Sequence, residues 1–313
     1  MKKLTIVIPA FNEEKILPNS IRRLLKIEER LINNQKPDYM ADILIVDDGS
    51  SDKTWKIIES EHRKHTTIKG IKLSRNFGHQ NALIAGLKEA INTADVVVTI
   101  DADLQDDPTA ILKMFSRFIA GVEIVYGVRN NRETDTWFKR NSALFFYKLL
   151  NFIGVKLIPN HADFRLMSKR VIKVFLQYQE RNIFIRGIIP MLGFRTTKVY
   201  YKRTPRLAGK SKYPLTKMLS FAWNGITSFS IMPVRFILVL GVFASSLGII
   251  MFCYSIITKW LGLTTHGWSS LMVSIWVLGG LQMVSLGIIG EYIGKITTEV
   301  KHRPRYIIQM HLD

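Results

Sequence analysis

Cysteine is nearly missing from this chain. Cys253 is the single one in 313 residues, so neither an intrachain disulfide framework nor a Cys-based metal site can form. Acids also run short, with 25 Asp+Glu against 44 Lys+Arg and a net charge of +19. Between Trp137 and Arg235 only Asp163 and Glu180 face 19 basic residues. The histidines at 62, 65, 79, 161, 266, 302 and 311 lack metal-site spacing, and none is assigned a metal. Charge itself vanishes over the 23 residues between Arg235 and Lys259, and again over a longer run between Lys259 and Glu291. A helix needs about 20 residues to cross a bilayer, and a buried core helix rarely stays uncharged for so long. Two spanning helices are therefore expected. The opening MKKLTIVIPAFNEE starts like a signal peptide, but its apolar run is short, meets Asn12-Glu13-Glu14 and lacks a small-residue cleavage site. It reads as a first strand, with the N-terminal domain left in the cytoplasm.

Positive charge crowds beside the apolar runs. The tail KITTEVKHRPRY is basic, whereas the connection KWLGLTTHGW holds one lysine. Juxtamembrane Lys and Arg mark the cytoplasmic side and attract anionic headgroups. Both flanks inside, with a short outer hairpin, is the consistent topology of a multi-pass membrane protein. Lipid phosphate is the expected partner, and nucleic acid is not. The stretches 137–154 and 213–232 mix aromatic with basic residues, as amphipathic helices lying on a membrane do; buried core helices with exposed lysines would look similar. The expected division is 1–212 for the soluble domain, 213–232 for a juxtamembrane amphipathic helix, 233–292 for two spanning helices and 293–313 for a basic cytoplasmic tail. GVFAS and GEYIG, at 241–245 and 290–294, are small-xxx-small patterns that permit close helix packing, within one chain or between copies.

In the soluble half, short β-branched runs at 4–10, 43–46, 68–73 and 95–100 alternate with helical patterns near 15–33, 52–64 and 78–92. That alternation predicts an α/β fold with a mostly parallel sheet covered on both faces. Ligands of such sheets bind at the carboxyl ends of the strands, where PAFNEE, DDGSSDKT and DADLQDDP stand.

The last of these places Asp101, Asp103, Asp106 and Asp107 within seven residues. Close like charges cost energy unless something positive joins them. Asp-x-Asp at a strand end followed by Gln105 suits a hard divalent ion, Mg²⁺ or Mn²⁺, which takes one or two carboxylates and leaves positions for phosphate and water. Asp103 with Gln105, supported by Asp101, forms the expected metal corner. Asp106 and Asp107 read as caps of a helix starting near Pro108. In the second turn, Ser51 or Asp52 can cap the next helix and Gly49 can make the turn. Asp47 and Asp48 stay unexplained by capping and could accept from a nucleobase N–H or a ribose hydroxyl.

Taken together in order and spacing, IVIPAFNEE, ILIVDDGSSDKT and TIDADLQDDP resemble the family 2 glycosyltransferases of GT-A fold. The likeness continues through VYGVRNNRETDTWFKR, ADFRLMSKRV and RLAGKSKYPLTKM into the C-terminal helices, as in the polyprenyl-phosphate glycosyltransferases of the bactoprenol type; dolichyl-phosphate mannose synthases are similar in the catalytic half. The Gln-x-x-Arg-Trp motif of polysaccharide synthases is missing, which argues against a processive polymerase. By position, the resemblance implies a nucleoside pocket of Pro9, Phe11, Glu13, Val46 and Asp48 with Asp47 beside them, Asp101 at the nucleotide-sugar end, and Asp103 and Gln105 holding the metal against a UDP pyrophosphate. It places Asp163 on the acceptor side, where a salt bridge to Arg165 is the plainer alternative. Arg129, Arg132, Lys139 and Arg140, with Arg206, Lys210, Ser211 and Lys212 of a closing loop, are candidates for the acceptor phosphate. The implied reaction is an inverting transfer of one sugar, glucose or an N-acetylhexosamine, from a UDP-sugar to undecaprenyl phosphate, by a homo-oligomeric enzyme of the bacterial cell membrane. A GDP-mannose-dependent synthase and a non-catalytic nucleotide- or lipid-binding membrane protein are the alternatives.

Overall fold

The computed structural model describes residues 2–34, 39–130, 161–181, 183–202, 232–261 and 267–313. Two compact units emerge. One comprises residues 1–152, 156–214 and 303–313, and the other 153–155 and 215–302.

The first unit is built on one eight-stranded sheet, of order β7-β5-β6-β4-β1-β2-β3-β8. Its strands are β1 (Lys2–Ala10), β2 (Tyr39–Asp47), β3 (Ile68–Leu73), β4 (Val96–Thr99), β5 (Ile124–Arg129), β6 (His161–Ser168), β7 (Thr196–Tyr201) and β8 (Ile308–Leu312). Strands β4, β1, β2 and β3 run parallel, with Ile6 opposite both Ile43 and Val98. Ala10 lies opposite Asp47, so the first two motifs leave the sheet side by side. Helices α1 (Leu17–Asn34), α2 (Thr54–Lys64), α3 (His79–Thr93) and α4 (Ala110–Ile119) connect these strands in crossovers, and α5 (Lys169–Phe175) and α6 (Ile185–Met191) follow β6. This is the GT-A-like, mostly parallel mixed sheet.

Coverage on both faces explains the composition of the strands. From Leu4 to Ala10 every residue of β1 is buried, so the strand reads as a continuous apolar run rather than an alternation. Helix α1 buries Leu17, Ile21, Leu24 and Leu31 at helical spacing. The one charged residue buried in that stripe, Glu28, accepts from Thr67 Oγ1 at 3.2 Å. Helix α3 lies tightest on the sheet. A Cβ at Gly86 would come within 2.4 Å of Val7 Cγ1 and 2.8 Å of Val46 Cγ2, so only glycine permits this approach. That contact fixes the helix whose first turn overhangs the strand ends.

Two strands depart from the expected pattern. Strand β6, carrying ADFRL, runs antiparallel between β4 and β5, with Arg165 opposite both Thr99 and Tyr126. The tail, expected as a basic segment of its own from 293, instead returns to the first unit at 303: β8 pairs antiparallel with β3 at the sheet edge. Backbone pairing explains this, because β3 would otherwise present an open edge.

The second unit contains α7 (Met232–Trp260) and α8 (Trp268–Val300), which contact one another. Both are long and apolar enough to cross a membrane, and their candidate spans, Pro233–Ile250 and Val277–Val300, are unburied. Helix α8 continues eight residues past the expected limit at 292. The expected interfacial stretch 137–154 and nearly all of 213–232 lie outside the described residues.

Candidate active site

The carboxyl ends of β1, β2 and β4 come together, as the strand-end rule requires. The first two loops are laced by hydrogen bonds. Asn12, at φ 53°, donates its N–H to Ser50 Oγ at 2.9 Å, and its Oδ1 accepts from Ser51 N at 2.9 Å. Glu13 N donates to Thr54 Oγ1 at 2.9 Å. Glu14 N donates to Asp52 Oδ2, and Glu14 Oε2 accepts from Lys53 N, each at 3.1 Å. Gly49 must turn here: its φ is +66°, and a Cβ would sit 2.3 Å from the Arg75 carbonyl carbon.

The expected nucleoside residues fall into two groups. Phe11 is 38% exposed and Glu13 half-buried at the mouth of these loops, whereas Pro9 and Val46 are buried within the strands. Asp47 is fully buried and accepts from Ser50 N at 3.2 Å through Oδ1. Asp48 is occupied: Oδ1 accepts from Phe77 N at 2.7 Å and Oδ2 from Gly78 N at 3.0 Å. Its carboxylate therefore fixes the loop after β3, with one acceptor position engaged on each oxygen. Burial pushes both acids up, against the N–H groups they accept from.

The turn after β4 behaves differently. Leu104 adopts φ 41°, a left-handed conformation that costs a branched residue about 1–2 kcal/mol. Burial of its side chain and the bond from Leu104 N to Asp101 O at 3.1 Å hold it there. Ser20 Oγ of α1 donates to Ala102 O at 2.6 Å. Asp103 Oδ1 accepts from Gln105 N at 3.3 Å, with the Gln105 residue buried. Asp101 Oδ1 is buried without a hydrogen bond among the described residues. Burial, with Asp163, Asp106 and Asp103 nearby, pushes Asp101 up to about 6 despite His79.

Asp106 corrects the capping expectation. It is buried, and its Oδ1 accepts from Arg129 Nε at 3.0 Å, with Nη2 of the same guanidinium also 3.0 Å away. Arg129, expected among the cations for an acceptor phosphate, is thus engaged by a carboxylate. The pairing follows from β5 ending beside this turn, a proximity no local pattern encodes. Asp107 instead accepts from Thr109 N at 3.0 Å and Thr109 Oγ1 at 2.7 Å, bracing the residue that precedes α4, where the helix's N-cap position is Thr109. Arg132, Lys139, Arg140, Arg206, Lys210, Ser211 and Lys212 lie outside the described residues.

Strand β6 delivers Asp163 to the same place. Its Oδ1 accepts from Arg165 Nη2 at 2.5 Å and Arg186 Nε at 3.2 Å, and its Oδ2 from Arg186 Nη2 at 2.9 Å. The salt bridge to Arg165 is therefore real, but it does not remove Asp163 from the site, because His79 Nε2 lies 3.5 Å from Asp163 Oδ2 and 3.6 Å from Asp101 Oδ1. Burial opposes the charge on Asp163, yet Arg186, His79 and Arg165 hold its carboxyl well below the usual range. Desolvation likewise opposes a charged His79, and Asp163 and Asp101 outweigh it and raise its pKa.

His79 and Arg186 are the site residues that sequence reasoning missed. His79 stands at the start of a helical pattern just past a strand, which was the available signal. Another histidine, His311, approaches Glu89 and Asp313 with ligand atoms within 4.8 Å, although local spacing gave it no partner.

The arrangement is a carboxylate turn at a strand end, facing a buried acid held by cations. The family model for glycosyl transferase family 2 matches residues 5–176, and that for the GtrB C-terminal hairpin matches residues 232–296. The chain belongs to glycosyl transferase family 2. It is a glycosyltransferase. An uncharacterized glycosyltransferase of Bacillus subtilis (strain 168), YkoT, is 52% identical over 309 residues, covering 99% of this chain and 92% of that protein. The bactoprenol glucosyl transferase of Shigella phage SfX is 40% identical, covering 98% and 99% respectively. A prophage bactoprenol glucosyl transferase homolog of Escherichia coli (strain K12) is 38% identical, covering 98% of each.

Proposed function

We propose that this glycosyltransferase moves a single sugar, glucose or an N-acetylhexosamine, from a UDP-sugar to undecaprenyl phosphate at the cytoplasmic face of the bacterial membrane, with inversion at the anomeric carbon. The observation that carries this reading is the carboxylate turn. Asp101 keeps a buried oxygen without a hydrogen bond while Asp103, Asp106 and Asp163 surround it with further negative charge. Such a donor set fits a hard divalent ion, Mg²⁺ or Mn²⁺, held by Asp103 and Gln105 with Asp101 in support. When bound, that ion would stabilise the charge developing on a departing pyrophosphate.

The remaining chemistry falls to the chain. An acceptor phosphate oxygen forms a bond to the anomeric carbon as the bond from that carbon to the UDP oxygen breaks, and the leaving electrons stay on UDP. A phosphate monoester, with a second pKa of about 6, is already largely ionised near neutral pH, so no strong base is required. Asp163 is engaged by Arg165, Arg186 and His79, which suits orienting an acceptor and ill suits covalent attack on the sugar. This favours one displacement, hence inversion.

The apolar helices support a membrane acceptor. Trp260 is 90% and Phe236 68% exposed, a cost in water that lipid removes. In sequence, α7 and α8 lie between segments that belong to the catalytic unit, in keeping with a hairpin. Among the described residues nothing lies within 4 Å of a Cβ built at Gly241, Gly290 or Gly294, which leaves space at these glycines for a second copy.

Incubating detergent-purified protein with undecaprenyl phosphate, Mn²⁺ or Mg²⁺ and a panel of radiolabelled UDP- and GDP-sugars tests the reading. Label should enter the lipid fraction from one UDP-sugar and stop with EDTA. Folded protein that labels no lipid from any donor defeats it.

A further inference from the structure

The five residues FGHQN, 77–81, reach three acids of this site, Asp48, Asp101 and Asp163. The Phe77 and Gly78 N–H groups donate to Asp48 at 2.7 and 3.0 Å, tying the segment to the turn after β2. Asn81 Nδ2 closes it by donating to Phe77 O at 2.8 Å. Between them, His79 Nε2 stands 3.6 Å from Asp101 and 3.5 Å from Asp163. Gln80 Oε1 accepts from Ile185 N at 3.0 Å, at the start of α6. The next residue on α6 is Arg186, which holds both oxygens of Asp163.

These contacts make a continuous connection. Asp48 on one side and Asp163 on the other are joined through four consecutive residues at the head of α3, a helix that Gly86 seats directly on Val7 and Val46. A seven-residue helix such as α6 has little stability of its own. Its start is tied to α3 by Gln80, so the position of Arg186, which holds the side chain that β6 delivers at Asp163, is linked to the sheet through α3.

We infer that His79 and Gln80 are positioning residues for sugar transfer, holding the acceptor-side Asp163 and Arg186 in register with the donor-side Asp48 and Asp101. The inference rests on the proposed transfer for its kinetic consequence, but its structural consequence can be read without any substrate. Register between the two sides matters to turnover, because reaction needs both reactants in a near-attack geometry, and it matters little to donor affinity alone.

The experiment compares Gln80→Ala, Gln80→Glu, His79→Ala and His79→Gln in the full-length, detergent-purified enzyme. Misplacement of about 1 Å costs about 100-fold in rate, so His79→Ala should lose about that much kcat and Gln80→Ala about 10-fold, each at unchanged donor KM. Gln80→Glu should recover the wild-type rate, since a carboxylate accepts from Ile185 N–H as the amide does. His79→Gln should recover part, through an amide N–H directed at Asp163. Hydrogen–deuterium exchange over residues 183–191 should rise in both alanine variants and stay at the wild-type level in Gln80→Glu, with melting temperatures recorded alongside. Wild-type exchange in Gln80→Ala, or a raised donor KM with unchanged kcat, overturns the inference. A wild type inactive toward every donor defeats the transfer reading instead, and the exchange result still decides this one.

Discussion

The turns after β2 and β4 carry similar sequences, DDGSSDKT and DADLQDDP, and use their acids in opposite ways. In the first, Asp47 accepts from Ser50, Asp48 from Phe77 and Gly78, and Asp52 from Glu14 and Thr54. Its carboxylates mainly stitch backbone to backbone. In the second, Asp107 and Asp103 do comparable work on Thr109 N and Gln105 N, while Asp106 is engaged by Arg129 and Asp101 Oδ1 makes no hydrogen bond, with His79 Nε2 3.6 Å away. Acid density alone therefore does not mark the reactive turn. Each turn holds a buried oxygen without a hydrogen bond among the described residues, Asp47 Oδ2 in the first and Asp101 Oδ1 in the second. What marks the second is that Asp163, Asp106 and Asp103 all crowd Asp101 with negative charge that a cation can complete.

The contrast breaks most sharply at Asp103. Asp103→Ala should lower sugar transfer about 1000-fold or more, as loss of a main electrostatic stabiliser does. Transfer to lipid, assayed with and without added Mn²⁺, checks this; full activity in the variant would mean that the second turn is scaffold like the first.

A middle-sized effect separates the two neighbouring acids of that turn. Asp106→Asn leaves the largely buried Arg129 without its counter-charge and should cost about 3 kcal/mol of stability. Asp107→Ala removes only exposed hydrogen bonds to Thr109, worth about 1 kcal/mol. Urea unfolding of the two variants reads the difference, and equal losses would contradict the assignment of Asp106 to Arg129.

The smallest effect lies within the first turn and depends on pH. Asp47 has a raised pKa because of burial, so its ionised form costs stability above its folded pKa, and that cost disappears as pH falls toward the unfolded value. Slight burial opposes the charge of Asp52, but N–H and hydroxyl donation from Thr54 and N–H donation from Glu14 outweigh it and lower its pKa. Asp52 therefore stabilises above its unfolded value, and this is lost as pH falls through the folded one. Without nucleotide at pH 7, Asp47→Asn should melt higher than wild type and Asp52→Asn lower. Both differences should shrink as the pH is lowered toward and below about 4, where unfolded Asp titrates. Melting curves across that range check the signs.

The central sheet was legible because its signal is local. Runs such as LTIVIPA and ILIV are apolar throughout, as strands buried on both faces must be, and the observed β1 and β2 extend these runs by only a few residues. Strand β6 was not legible as a strand, because HADFRLMS carries a charged pair in its middle. Arg165 and Asp163 are tolerable there because they neutralise each other. Strand β8 is five residues long and gains its partner β3 only through an antiparallel contact across the chain. The acid cluster at the end of β4 was readable from Asp-x-Asp at a strand end, whereas His79 was not, since Asp101 and Asp163 approach it only after folding.

The sequence by itself determined the layered α/β sheet, the strand-end location of the site and the two long apolar helices. Hydrophobic period, turn chemistry and the absence of charge are written residue by residue. Only the tertiary structure decided which carboxylates are neutralised. Insertion of β6 beside β4 brings Asp163 to Asp101, the end of β5 brings Arg129 to Asp106, and α3 brings His79 between two acids. An acid's role depends on the charges and donors within a few ångströms of it, and those neighbours come from distant parts of the chain.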